Sequence, residues 1–223
     1  MGPGRAAEII REGLYRGADN GYLLTDRAFA GADTLATSYA ISCAIKKMKE
    51  FDVIVAGRQA IDGDTAQVGP QVAEKLGLPQ VTYAEEIIET KKKSIVIKRR
   101  LENGVETVES PIPCVITVNG SAPDCRPRNA KAVMKYKHAR TATERQEASE
   151  DYMDLGRPYL DIAEWSVNDI ETDVNQLGLN GSPTKVKKIE NVVFQAKEAK
   201  VITADDNGIN ELMAELISNH TLG

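Results

Sequence analysis

The sequence predicts an α/β fold: a parallel, Rossmann-like nucleotide-binding sheet with a β-hairpin insertion and a C-terminal arm. Three observations predict it. Short apolar runs alternate with helical patterns over residues 21–83, which is the spacing of βαβ units. Residues 94–109 then change to two strand-like runs joined by Glu102-Asn103-Gly104, and Asn-Gly marks a hairpin turn. Past residue 160 the chain becomes punctuated by Gly, Asn and Pro (174–187) before an amphipathic stretch at 209–217.

In chain order, Gly2-Pro3-Gly4 is turn chemistry, and residues 6–14 read as an amphipathic helix with Ile9, Ile10 and Leu14 on its apolar side. Residues 21–24 (Gly-Tyr-Leu-Leu) suit a buried strand. Asp33 or Thr34 can cap a helix reaching about Lys49, whose last-turn lysines complement the helix dipole. Phe51-Asp52-Val53-Ile54-Val55-Ala56 reads as a second buried strand, residues 66–76 as a helix ended by Gly77, and Val81-Thr82-Tyr83 as a third strand. Residues 114–118 suit a further buried strand. The predicted organisation is a nucleotide-binding domain at 1–160 and an arm at 161–223.

Composition narrows the function classes. The chain has 223 residues, 42% hydrophobic and 27% charged, with 28 Lys and Arg against 33 Asp and Glu, a net charge of −5. This balance gives no global attraction to nucleic acid. No apolar run approaches the ~18 residues of a membrane helix, so no membrane insertion is expected. Three cysteines, Cys43, Cys114 and Cys125, without CxxC spacing fit neither a disulfide framework nor a zinc site, and point to the reducing cytoplasm. Cys43 and Cys114 sit in apolar patterns and read as core; Cys125 lies in a polar loop. Two histidines leave little material for a metal site or an acid–base relay. No catalytic residue is assigned, and the expectation is a carrier or binding subunit rather than an enzyme.

The informative stretch is 57–73. It follows the carboxyl end of a predicted strand and precedes a helix, where ligands bind in open α/β sheets. Free backbone donors around residues 64–67 and the helix dipole favour phosphate, and Arg58 adds a positive charge. The same Asp62-Gly63-Asp64-Thr65 also fits a plain turn and N-cap. Neither a Walker A motif nor GxGxxG is present. The two aspartates suit ribose hydroxyls or adenine amines better than phosphate alone, which favours a nucleotide.

These residues resemble a known family. Gly57-Arg58-Gln59-Ala60-Ile61-Asp62-Gly63-Asp64-Thr65-Ala66-Gln67-Val68-Gly69-Pro70, together with residues 26–34, resembles the electron transfer flavoprotein β subunit. Residues 97–117 resemble that family's signature through Arg99, Glu102, Gly104, Glu106, Val108, Pro113 and Thr117, with Asn103 departing mildly. Residues 173–184 resemble its C-terminal arm.

The resemblance implies a subunit that binds AMP or a second FAD and pairs with an FAD-containing α subunit. The pair carries electrons from dehydrogenases or NADH to acceptors such as acyl-CoA dehydrogenase-type or quinone oxidoreductase partners. It places the cofactor-binding residues at Met1, Gly2 and Pro3, and at Asp62, Gly63, Asp64, Thr65, Ala66, Gln67, Val68, Gly69, Pro70, Gln71, Val72 and Ala73. The form of this loop resembles the electron-bifurcating members. The family's partner-docking segment falls on 124–140, at Arg126, Arg128, Ala130, Lys131 and Lys135, with Ala130 where many members carry an anchoring leucine. Family members also carry roughly two further βα units ahead of the Met-Gly-Pro turn, so the chain is expected to be short at its N-terminus. A stand-alone adenine-nucleotide sensor domain is the competing reading, since a parallel sheet with a phosphate loop is all such a module needs. The six basic residues of 126–140 also fit a solvated helix face, and those of 91–100 a solvated strand face.

Overall fold

β6 (Cys114–Val118) is the strand the main sheet is built on, because its Cys-Val-Ile-Thr run is buried throughout. The computed structural model describes residues 1–148, 156–187 and 199–222. The five-stranded sheet has the order β2-β6-β3-β4-β5, with β2 (Val53–Gly57), β3 (Gln80–Thr90), β4 (Ser94–Leu101) and β5 (Gly104–Pro111) around β6. β2 and the first part of β3 lie parallel to β6; β3, β4 and β5 form an antiparallel meander. The fold is therefore α/β, as expected, on a mixed sheet.

Two strand expectations are corrected. β2 is not a buried strand: among the described residues it has a neighbour on one side only, which makes it the sheet's edge, and Val55 is 61% exposed. The strand expected at 81–83 continues through Gln80–Thr90, so the hairpin grows directly out of the parallel sheet. Tyr83 makes that possible. Its φ of +58° breaks the register with β6 between Val81 and Ala84, and its N–H donates to Thr117 Oγ1 at 3.2 Å. The displaced donor is thus satisfied by a side chain where the ladder cannot reach it.

The first strand also finds an unexpected partner. β1 (Tyr22–Leu24) pairs in parallel with β7 (Ala163–Trp165), in a two-stranded sheet of their own. Trp165 packs beside the cluster of Leu24, Phe29, Cys43, Ile170 and Leu177, with its ring 4.6 Å from that of Tyr22 and 4.5 Å from Lys47 Nζ. α1 (Ala7–Tyr15) puts Leu14 into a separate cluster with Tyr136, Ala139, Leu160 and Ile162. The segment beyond residue 160 therefore completes two of the cores, and the compact unit runs from Met1 to Lys185, past the boundary expected at 160.

α2 (Thr34–Met48) shows what holds that segment. Asp33 caps the helix by accepting from Leu35 and Ala36 N–H at 3.0 and 3.1 Å. Its other oxygen accepts from Thr184 N–H and Oγ1 at 3.1 and 2.8 Å, while its own N–H donates to Ser182 Oγ at 2.8 Å. Gly178 is required nearby: its φ is +52°, and a Cβ there would lie 2.3 Å from the Ala28 carbonyl oxygen. Burial alone would raise the Asp33 carboxyl, but the bonds from Ala36, Thr184 and Leu35 outweigh it and hold the group below the ordinary aspartate range.

The second unit, 186–223, contains α6 (Asp206–Ser218), which covers the amphipathic stretch at 209–217. Asp205 caps it through Gly208 N–H at 2.8 Å, and Lys200 pairs with Glu215 at 2.5 Å.

Asp33→Ala is expected to cost about 1–2 kcal/mol at pH 7, the upper end because it removes a cap and a tie to Thr184 together. The sign follows from the lowered folded-state carboxyl. Its contribution is full above the unfolded value near 3.9 and is lost as pH falls through the lower folded value. Urea unfolding of wild type and variant should differ at pH 7 and converge as the pH drops well below about 4.

Candidate functional site

Parallel strands end together, and here the carboxyl ends of β2 and β6 fall at Gly57 and Val118. Residues 58–67 leave β2 as a loop and enter α3 (Val68–Leu76), which Gln67 precedes as the cap residue without a side-chain cap bond. The helix thus begins two residues later than expected; of the donors expected at 64–67 Asp64 N–H is spent on Ala60 O at 3.0 Å, and within the first turn Gln71 N–H donates to Gln67 O at 2.9 Å and Pro70 has no N–H, which leaves Val68 and Gly69 as the first-turn donors without a carbonyl partner among the described residues. Asp64 and Ala66 both adopt the left-handed region, at φ +50° and +52°. That conformation costs roughly 1–2 kcal/mol per non-glycine residue, and such outliers cluster at ligand-binding loops.

The start of α3 is fixed by a close approach. A Cβ on Gly69 would lie 2.5 Å from Thr117 Cγ2 and 3.5 Å from Ala56 Cβ. Only glycine lets the first turn sit down on the ends of β2 and β6. Gln67 and Gln71 face the other way, to α2: Thr34 Oγ1 donates to Gln67 Oε1 at 3.0 Å, and the buried Ser38 donates to Gln71 Oε1 at 3.1 Å.

The structure divides the predicted cofactor residues. Asp62, Gly63, Asp64, Thr65 and Gln67 are exposed; Ala66, Val68, Pro70 and Gln71 are half-buried; Gly69, Val72 and Ala73 are buried. Asp64 is tied to Gln59 through that residue's side-chain amide and to Ala60 O through its own N–H at 3.0 Å. Met1, Gly2 and Pro3 lie at the carboxyl end of β1, where Gly2 N–H donates to Leu24 O at 3.0 Å.

A polar chain that sequence reasoning missed runs from the middle of β3 past the carboxyl ends of β6 and β2. Glu85, 8% exposed, accepts from Arg100 Nε and from Ser121 Oγ. Asn119 Nδ2 donates to Ser121 Oγ at 2.7 Å, and Arg58 NH1 donates to Asn119 Oδ1 at 3.4 Å. The bonds from Arg100 and Ser121 hold the Glu85 carboxyl below the usual glutamate range. The available signal was Val118-Asn119-Gly120-Ser121, small and polar residues directly after a buried strand, the same pattern that singled out residues 57–65.

The predicted docking residues lie on and before α4 (Ala130–Tyr136), which Asn129 caps through Ala132 N–H at 3.2 Å. Arg126, Arg128, Ala130, Lys131 and Lys135 are all exposed. Arg128 pairs with Glu12 on α1 at 2.5 Å, and Lys135 Nζ bonds Tyr136 Oη at 2.9 Å. Part of the cationic stripe is therefore held within the fold, and Met134 (66% exposed) supplies apolar surface beside Lys131 and Lys135. Beyond this basic stretch the sequence places six Glu and Asp residues between 144 and 161, a run that lies partly outside the described residues. Cys43 and Cys114 are buried and Cys125 is exposed. Among the described residues no helix is long and apolar enough to cross a membrane, and no group of three His, Cys, Asp or Glu is placed to hold a metal.

The fold defines a class: open α/β domains in which a loop joins the carboxyl end of a parallel strand to a helix N-terminus. Residues 1–146 match the family model described as the electron transfer flavoprotein domain. The chain is 44% identical over 188 residues to the electron transfer flavoprotein subunit beta of Clostridium acetobutylicum, covering 84% of this chain and 64% of that protein. It is 38% identical over 227 residues to the subunit of the same name from Megasphaera elsdenii, covering 98% and 76%. It is 44% identical over 186 residues to the caffeyl-CoA reductase-Etf complex subunit CarD of Acetobacterium woodii, covering 83% and 63%. The chain belongs to the electron transfer flavoprotein family. It spans a little under two thirds of the length of the Clostridium and Acetobacterium relatives.

Gly69→Ala is expected to destabilise the protein by about 1–3 kcal/mol through overpacking against Thr117. Thr117→Ser removes the methyl group in the way and keeps the hydroxyl for Tyr83, so the double variant should recover much of the loss. Additive losses in a double-mutant cycle by urea unfolding would show that the contact does not set the helix position.

Proposed function

We propose that the chain serves as a β-type electron transfer flavoprotein subunit, holding an adenine nucleotide beside an α subunit that carries the redox-active FAD. The loop at the carboxyl end of β2 carries this reading, because two left-handed residues and an open helix start meet there in a member of this family. The redox chemistry belongs to the flavin. This chain's residues bind and orient: α3's first-turn N–H groups suit a phosphate, and Asp62, Asp64 and Thr65 suit hydroxyl or amine groups of the nucleoside. In this role it is a carrier subunit without catalytic side chains, working in the cytoplasm.

The nucleotide is AMP or a second FAD, and the glycine-containing Asp62-Gly63-Asp64 form favours the second, bifurcating arrangement. The partners are an FAD-bearing α subunit and, through the cationic face of α4, an acyl-CoA dehydrogenase-type or quinone oxidoreductase protein. A relative named as part of a caffeyl-CoA reductase-Etf complex supports the acyl-CoA side of that choice.

Co-expression with a family α subunit tests the reading. The expected result is a yellow heterodimer, with two FAD per pair for the bifurcating form or one FAD and one AMP for the simple carrier. A colourless chain that stays unpaired overturns it. Within such a pair Asp64→Lys should weaken retention of the nucleotide in this subunit at least several-fold, read by nucleotide release and chromatography. Unchanged retention removes Asp64 from the site.

A further inference from the structure

We propose that Arg58 is the cationic group that receives the phosphate of the bound adenine nucleotide, and that Asn119 is its positioning residue. This rests on the nucleotide reading above and adds residues outside the loop at 62–73.

The first support is the polarity of the chain that reaches Arg58. A carboxylate only accepts hydrogen bonds, so Glu85 requires Ser121 to spend its hydroxyl proton on it. The Ser121 oxygen is then left to accept, which it does from Asn119 Nδ2 at 2.7 Å. With its amide hydrogens turned to Ser121, Asn119 must present its carbonyl oxygen to Arg58. One buried carboxylate, itself held by Arg100, thus sets the amide orientation two links away. Asn119 is fixed from its backbone as well, since its N–H donates to Ala84 O at 2.9 Å, and Arg58 N–H donates to Val118 O at 3.1 Å.

The second support is what the arrangement leaves unspent. Arg11, Arg99, Arg100, Arg128 and Arg145 each pair with a Glu or Asp. Arg58 has instead a neutral carbonyl at a long 3.4 Å and the Tyr83 ring at 6.0 Å. Its charge is not neutralised by a carboxylate among the described residues, and most of its five N–H donors stay open. A guanidinium held in place but not discharged, beside the strand end that α3's first turn packs on, suits a phosphate better than a structural salt bridge does. It also offsets the repulsion that Asp62 and Asp64 would exert on such a ligand.

Equilibrium binding of AMP and adenosine to the full chain tests this, with the ratio of the two affinities as the readout. Wild type should prefer AMP. Arg58→Gln should lose about tenfold or more in AMP affinity, the scale of a charge-assisted hydrogen bond, and leave adenosine nearly unchanged. Asn119→Ala should lower the same ratio by a smaller factor, and Arg58→Lys should recover part of it. A general loosening of the fold would weaken both ligands alike, so a parallel loss overturns the proposal, as does an unchanged ratio. If wild type binds neither compound, the nucleotide reading itself falls and takes this assignment with it.

Discussion

Thr117 is the residue on which the site depends, because its two branches impose separate constraints on the chain around it. The methyl group faces α3 and admits only a glycine there, which seats the helix start on the ends of β2 and β6. The hydroxyl faces β3 and accepts the N–H that Tyr83 turns out of the ladder. That turn shifts the register of β3, so that the strand leaves its parallel neighbour and continues into the antiparallel meander. Glu85 follows two residues later, and from it the line of polar contacts runs back to the end of β2. A single buried threonine therefore relates the first turn of one helix to the oriented side chains of two strands' ends.

Asp33 performs the corresponding task for the other half of the unit. A helix start leaves N–H groups unpaired, and a carboxylate with two oxygens can serve them while retaining capacity for another segment. Here one oxygen serves α2 and the other takes the backbone and hydroxyl of Thr184. Tyr39 and Lys47 on the same helix bind Asp173 N–H and Asp169 O. The stretch from 163 to 184 is bound along α2 at successive points, and its apolar residues Ile170 and Leu177 complete the core beneath.

Local chemistry was legible in the sequence. The Asp33 cap, the Gly77 stop with its φ of +66°, and the hairpin turn, which falls on Glu102-Asn103 one position ahead of the expected Asn-Gly pair, each depend on residues within a few positions of one another, so their signatures survive without any knowledge of the fold. The motif at 57–70 was legible for the same reason. Pairing over long separations was not. Nothing in Tyr-Leu-Leu says that its neighbour is Ala-Glu-Trp at 163–165, because both runs are short and would satisfy many partners. β2 was read as buried because Val-Ile-Val is apolar; whether a strand has one neighbour or two is decided by topology, which its own composition does not carry. Asn119 and Ser121 escaped notice because a polar pair after a strand is ordinary until the fold sets Glu85 and Arg58 on either side of it.

The Asp33 contacts also impose an order in time. The carboxylate can cap α2 as soon as residues 35 and 36 have left the ribosome, whereas its bonds to Thr184 wait for a residue 151 positions further along the chain. At synthesis rates of about 5–20 residues per second that interval is roughly 8–30 s, during which Leu24, Phe29 and Cys43 have no Ile170 or Leu177 to pack against. A nascent chain must therefore carry that part of the core uncovered through the interval, a period in which holdase chaperones have a defined surface to occupy.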